Sequence, residues 1–284
     1  MYLQALAGHD DIIAIQRVIR AENDRDLYIT FDYMETDLLQ VIRANILEGI
    51  HMKYIIYQLL KALKYIHSAR LLHRDIKPSN ILIDSSCKIK LCDFGLCRSI
   101  ADDDVTDASG LVLTDYVATR WYRSPEILMG STNYTEGLDL WSVACILGEM
   151  FRGRPLIPGS SSMHQVEKIF ELTGNPTASD VNSWKSNFAP AMLENVKARS
   201  RVKLSELCPN IPKDAKHFIK GLFKLNPNQR GSAGTALGQV YLSEFHNPET
   251  EPSYAHGPIK VKFHHLQLEC NKCSLQAQLK QSTR

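Results

Sequence analysis

The chain has 284 residues, enough for one large domain or two small ones, and its 44% hydrophobic and 23% charged composition is that of an ordinary globular protein. Thirty-three Lys and Arg against 31 Asp and Glu leave a net charge of +2, so composition argues against nucleic acid or a membrane surface as an electrostatic partner. Tyr and Trp do not alternate with Lys and Arg, so no RNA-stacking platform is expected either.

In chain order, residues 1–7 read as the last turns of a helix stopped by Gly8. Ile12, Ile13, Ile15, Val18 and Ile19 suggest a strand. Leu27, Ile29 and Phe31 alternate as a second strand over 26–32, with Asn23 to Asp26 as the turn. Two strands alone are a marginal sheet, so a further layer is expected beside them. Ile55, Ile56, Leu59, Leu60, Leu63 and Ile66 follow helical spacing within 50–69. Ile81-Leu82-Ile83 and Ile89-Lys90-Leu91-Cys92 flank Asp84-Ser85-Ser86 as a hairpin, which places Asn80 and Asp93 at one end of two paired strands. Residues 95–123 lack periodicity, and Asp102, Asp103, Asp104 and Asp107 read as a solvated loop. Helices are expected near 136–152, 162–173 and 213–224, with a polar insert over 176–210. The apolar run Leu138 to Phe151 is interrupted by Asp139 and Glu149 and is too short to span a bilayer, so it reads as a core helix. Residues 253–284 are expected to be a poorly ordered tail. No internal repeat is visible.

Seven cysteines (87, 92, 97, 145, 208, 270 and 273) lack framework spacing, and the N-terminus lacks an apolar signal core. Free thiols in a reducing, intracellular setting, cytoplasm and/or nucleus, are expected. Cys270 and Cys273 with His264 and His265 have poor zinc spacing and no second pair, which favours a solvated tail over a metal site.

The chemistry is concentrated in His73-Arg74-Asp75-Ile76-Lys77-Pro78-Ser79-Asn80, followed by Asp93-Phe94-Gly95 thirteen residues after Asn80. Phosphoryl transfer needs positioning and charge neutralisation more than covalent help. Asp75 is suited to orient a substrate hydroxyl and take its proton, and Lys77 to face the transferring phosphoryl group. Asn80 and Asp93 offer oxygens suited to Mg²⁺, a hard cation. Both motifs in this order make a specific signal.

With these motifs, Ser124-Pro125-Glu126, and Thr114-Asp115-Tyr116 ahead of Val117-Ala118-Thr119-Arg120-Trp121-Tyr122-Arg123, the chain resembles a eukaryotic protein kinase of the mitogen-activated group over about residues 3–252. Val18 to Asp26 and Arg152-Gly153-Arg154-Pro155 resemble the atypical extracellular-signal-regulated kinase 7/8 branch. The resemblance implies an α+β, protein-kinase-like fold: a remnant of the N-lobe sheet in 1–33, and a complete, mainly helical C-lobe in 34–252. It implies ATP and Mg²⁺ as cofactors, and proteins with Ser/Thr-Pro sites as substrates. Asp32 and Met34 would offer backbone groups to adenine behind Phe31 as gatekeeper. Asp37 would contact ribose, Leu82 would lie under the base, and Ser79 would join the nucleotide contacts. Thr119 would brace Asp75 and Lys77, Asp139 would anchor the catalytic loop, and Arg230 would pair with Glu126. Thr114 and Tyr116 would be the phosphorylated switch, set by an upstream kinase or by autophosphorylation. Because phosphate seeks arginine forks, phospho-Tyr116 is expected to meet Arg120 and Arg123, and phospho-Thr114 to meet Arg74 and Arg98.

The sequence departs from the family pattern in two places. No GxGxxG precedes residue 31, Gly8 is the only glycine before position 49, and the strand Lys and helix Glu are not found. This suggests an N-terminally truncated chain, with a catalytically impaired, pseudokinase-like scaffold as the alternative to an active enzyme. In the stretch His246 to Pro252, Asn247 and Thr250 replace two usually acidic positions, so a weakened acidic docking groove is expected.

Overall fold

The computed structural model describes residues 2–23, 25–100, 120–196 and 200–259. Helix α1 (Tyr2–Ala5) is short and is followed by Gly8 at φ +104°, a conformation that costs glycine little. The chain then locks onto the body. Ile13 N–H donates to the Leu91 carbonyl and Leu91 N–H to that of Asp11, so 11–13 lies beside a later strand. His9 is buried against Tyr65, and its Nδ1 accepts the Asp11 N–H at 3.1 Å, so the ring is neutral. Burial, reinforced by the Lys61 charge, lowers its pKa to about 4. The Asp11 carboxylate lies 3.1 Å from Lys61 Nζ, and burial raises its pKa despite that partner.

Strands β1 (Ile15–Arg20) and β2 (Leu27–Phe31) form an antiparallel ribbon in which Val18 faces Ile29 and Ile19 faces Tyr28, with an irregularity at Gln16. Asn23 organises the turn by accepting the Arg25 and Asp26 N–H groups. The second strand falls where alternation places it, but alternation also implies a covered face. Among the described residues neither face is covered: Val18, Ile19, Leu27, Tyr28 and Ile29 are all exposed.

The rest is one body. Strand β3 (Thr36–Asp37) leads into α2 (Leu38–Ala44), which Asp37 caps by accepting the Gln40 N–H at 3.0 Å. Helix α3 (Gly49–Ser68) buries the apolar row expected from its spacing. Its polar residues at three-residue intervals each hold a different segment. Gln58 spans the Cys87 carbonyl and the Ile89 N–H, and Lys61 meets Asp11. Lys64 reaches Glu251 and His67 reaches Asp139. After β4 (Leu71–Leu72), strands β5 (Ile81–Ile83) and β6 (Ile89–Leu91) form the expected hairpin, with β3 on the free edge of β5. Strand β7 (Arg98–Ser99) returns to pair with β4.

Helix α4 (Pro125–Leu128) precedes α5 (Gly137–Arg152), whose residues through Met150 are all buried, in keeping with a core helix. Helix α6 (Ser162–Thr173) follows. The polar insert then folds as α7 (Ala178–Ser183), α8 (Ala189–Glu194) and α9 (Leu204–Leu207). The insert is pinned by the fully buried Trp184, whose indole N–H donates to the Leu225 carbonyl at 2.9 Å. Helices α10 (Lys213–Leu222) and α11 (Ala233–Leu237) close the body. No helix among the described residues is long and apolar enough to cross a membrane. The expectation of a loose tail from 253 needs correction for its first residues. Tyr254 N–H donates to Ser68 Oγ, and Ile259 is buried with its N–H on the Ala69 carbonyl, because the end of α3 offers unspent acceptors there.

Arg230 and Glu126 form a bidentate pair, 2.7 Å at both contacts, inside the body. The guanidinium also donates to the Lys224 and Gly137 carbonyls and lies over Trp141, so its donors are satisfied. Gly137 must lack a side chain, since a Cβ would come within 2.6 Å of the Pro227 carbonyl oxygen. Glu126→Ala leaves the Arg230 charge buried and is expected to lower unfolding free energy by about 3–5 kcal/mol, read from urea denaturation. His9 gives a pH prediction. Its folded pKa lies below the unfolded value, so its contribution is full above about pH 6.5 and is lost as pH falls toward 4. Stability should drop by roughly 2 kcal/mol between pH 7 and 5, less the opposite effect of Asp11. His9→Phe should flatten that part of the profile in paired thermal melts.

Candidate active site

Three buried groups build the site from below. Asp139, in the first turn of α5, accepts the backbone N–H groups of His73 at 3.0 Å and Arg74 at 2.9 Å, and meets His67 Nε2 at 2.8 Å. Burial by itself would raise the Asp139 pKa, but the His67 contact, its charge and the backbone donors outweigh it and hold the carboxyl below its usual range. His73 is fully buried. Its Nδ1 accepts the Asp75 N–H at 3.3 Å and its Nε2–H donates to the Cys92 carbonyl at 3.0 Å. Burial keeps this ring neutral against the pull of Asp139. Phe94 packs edge-on against His73 with centroids 4.8 Å apart, tying the second motif to the first.

On this base the loop turns sharply, with Arg74 at φ +69° and Asp93 at φ +60°. Such left-handed values are uncommon outside glycine and cluster at functional sites. Asp75, Lys77 and Asn80 come together as the sequence implied. Asp75 Oδ2 accepts from Lys77 Nζ at 2.6 Å and from Asn80 Nδ2 at 3.0 Å, while Asn80 Nδ2 also donates to the Asp75 carbonyl. Among the described residues nothing donates to Asp75 Oδ1 or Asn80 Oδ1. Cys92 N–H donates to the Asn80 carbonyl, so β5 and β6 extend to Asn80 and Cys92 and deliver Asp93 beside that pair. Asp93 is exposed, with one carboxylate oxygen held by the Gly95 N–H at 3.3 Å. One amide oxygen and one carboxylate suit Mg²⁺, which keeps waters and shares phosphate oxygens rather than filling a protein cage. No group of three or more His, Cys, Asp or Glu among the described residues is arranged to hold a metal ion.

The nucleotide-contact candidates lie along β2 to β5. Asp37 and Leu82 are register partners, so ribose and base contacts would share one strand pair. Asp37 Oδ1 is already engaged as the α2 cap. The Asp32 side chain accepts from Gln16 Nε2 at 2.6 Å, which ties β1 to the segment carrying Met34. Ser79 sits half-buried in the 3₁₀ turn Pro78–Asn80.

The arginines expected to receive the phosphates have the following partners among the described residues. Arg74 stacks over the Tyr134 ring at 4.6 Å, and it lines one small cavity of about 30 Å³ with Arg123 and Asp75. Arg98 lies opposite Leu72 in the β4–β7 pair and donates to the adjacent Cys97 carbonyl. Arg120 donates to the Ser160 carbonyl at 3.2 Å. Thr114, Tyr116 and Thr119 lie outside the described residues, as do His264, His265, Cys270 and Cys273. Sequence reading missed His67 and Tyr134. His67 stands one turn after Leu63 on the buried face of α3, which was the available signal. Asp139→Asn puts an amide donor against backbone donors. It is expected to speed amide exchange at His73 and Arg74 by an amount equivalent to about 1–3 kcal/mol, measured by hydrogen–deuterium exchange.

The protein kinase domain model matches residues 1–242. Extracellular signal-regulated kinase 2 of Dictyostelium discoideum is 52% identical over 254 residues, covering 89% of this chain and 69% of that protein. Mitogen-activated protein kinase 15 of Xenopus laevis is 48% identical over 255 residues, and this chain spans 43% of its length. Extracellular signal-regulated kinase 7 of Drosophila melanogaster is 42% identical, with 28% of its length covered. A catalytic loop anchored on Asp139, and likeness of this extent, place the chain in the protein kinase family, within its mitogen-activated group.

Proposed function

We propose that this chain transfers the γ-phosphoryl group of ATP to Ser or Thr followed by Pro in proteins, under control of phosphorylation at Thr114 and Tyr116. The observation that carries the reading is the half-engaged carboxylate of Asp75. Among the described residues, Lys77 and Asn80 hold Oδ2 and nothing donates to Oδ1, the oxygen we assign to a substrate hydroxyl. Asp75 would align that hydroxyl and hold its proton as the oxygen attacks. Lys77, 2.6 Å from Asp75, would stand beside the incoming phosphoryl oxygens. Asn80 and Asp93 would hold Mg²⁺, and Asp32, Met34, Asp37, Ser79 and Leu82 would hold the nucleotide. Mg-ATP would supply the phosphoryl group and offset its charge. The Ser/Thr-Pro preference and the phosphorylation switch rest on membership of the mitogen-activated group.

The docking stretch supports weakened recognition of basic partner motifs. Glu251 is buried, 2.8 Å from His246 and 3.6 Å from Lys64, and Asn247 caps the turn before it. Glu249 is then the exposed acid of the stretch.

A binding module is the second reading, favoured by the exposed apolar side chains of the β1–β2 ribbon. Phosphate incorporation into a Ser-Pro peptide from Mg-ATP separates the two. The enzyme reading expects activity in the native sequence and a loss of roughly 10²–10³ or more in Asp75→Asn and Asp93→Asn. Equal, near-zero incorporation in all three proteins would overturn it for this chain and leave the binding module.

A further inference from the structure

A cavity of about 650 Å³ lies away from the candidate active site, between the end of α6, the insert and α10. Arg201 and Lys203 stand on its insert wall, Lys216 and Lys220 on its α10 wall, and Lys224 just past the end of α10. Among the described residues none of the five is in an ion pair, and the one side-chain hydrogen bond found for the group is from Arg201 to the Thr173 carbonyl. The single acid of the lining, Asp180, is committed to capping α7 through the N–H and hydroxyl of Thr177. The floor is apolar, formed by Leu172, Val202, Leu204, Phe223 and Leu225. A chain with a net charge of only +2 has thus gathered around one concave apolar surface five cations that have no ion-pair partner among the described residues.

We propose that this cavity is a docking site for an extended acidic segment of a partner protein, with carboxylates at alternate positions and apolar side chains between them. Three features favour this occupant. The volume is that of a site for several side chains, far more than one small anion fills. Lys216 and Lys220 stand four residues apart on α10, so these two cations rise about 6 Å along the wall, with Lys224 just past the helix end. An extended chain repeats its side-chain direction every two residues, about 6.6 Å, so alternate carboxylates match that rise. The cations line two facing walls above an apolar floor, which suits a strand of charged and apolar residues seated between them. The site makes no use of Asp75 or Asp93, so it stands independently of phosphoryl transfer.

The test uses the full 284-residue chain and a fluorescein-labelled octapeptide of four Asp-Leu repeats, followed by fluorescence anisotropy in about 0.15 M salt. Saturable binding is expected. Lys216→Glu/Lys220→Glu should weaken it at least about tenfold, and so should Arg201→Glu/Lys203→Glu on the other wall, while Arg17→Glu on β1 leaves it unchanged. An Asp-Ser octapeptide should bind several-fold more weakly, because the floor then gains nothing. Equal peptide binding by the native and both double-variant proteins overturns the proposal. So does displacement of the peptide at lower concentration by a single-stranded oligonucleotide or by anionic phospholipid vesicles, which would assign the cavity to those ligands. Thermal melts of the two double variants establish that they are folded, and either wall alone suffices for the comparison.

Discussion

The geometry of the candidate active site depends on one buried carboxylate. Asp139 sits at the N-terminus of α5, where the helix dipole favours negative charge. It gathers two consecutive backbone donors and one imidazole. Consecutive N–H groups do not converge in an ordinary strand. Their convergence accompanies the positive φ of Arg74, and that turn aims Asp75 back toward Asn80. The strain is sustained because the alternative is an unpaired charge in an apolar interior. His73 repeats the device one layer up, with both ring nitrogens spent on backbone. The candidate catalytic residues therefore inherit their positions from buried groups behind them.

Where the chain's chemistry is local, the sequence spoke clearly. Asp75, Lys77 and Asn80 are close in sequence, so any tight loop brings them together, and the hairpin spacing carried Asp93 to the same place. The buried face of α3 followed from apolar spacing, and the burial of α5 from its apolar run. Glu126 with Arg230, 104 residues apart, was legible only through resemblance, because no local pattern joins them. Asp37 shows a different limit. A residue ahead of an apolar run is both a helix cap and a candidate ligand, and its sequence position does not separate the two. Glu251 lies in the stretch read as a docking groove, and the turn Pro248–Thr250 folds it under His246, a burial that no local pattern signals.

The β1–β2 ribbon is the least consolidated described element. Three of its five cross-strand pairs are apolar, its faces are open among the described residues, and its ties to the body include the Ile12–Leu91 bridge and the Lys90–Asp32 contact. A two-stranded ribbon of this kind gains little from its own hydrogen bonds. Its alternation pattern was correctly legible as strand, while the covering implied by that pattern is a tertiary matter that alternation does not specify. The body below is packed to a different standard, with Trp141, Trp184 and Tyr241 all but fully buried.

Helix α3 acts as a ruler. Gln58, Lys61, Lys64 and His67 are graduations at three-residue intervals, each read by a separate part of the chain: the hairpin turn, the N-terminal segment, the C-terminal acid and the α5 carboxylate. Inserting or deleting one residue within it would rotate every later mark by about 100° about the axis and shift it by about 1.5 Å. All the attachments beyond that point would be lost together, although each is individually replaceable. Length within 58–67 is therefore more tightly constrained than the identity of any one side chain there.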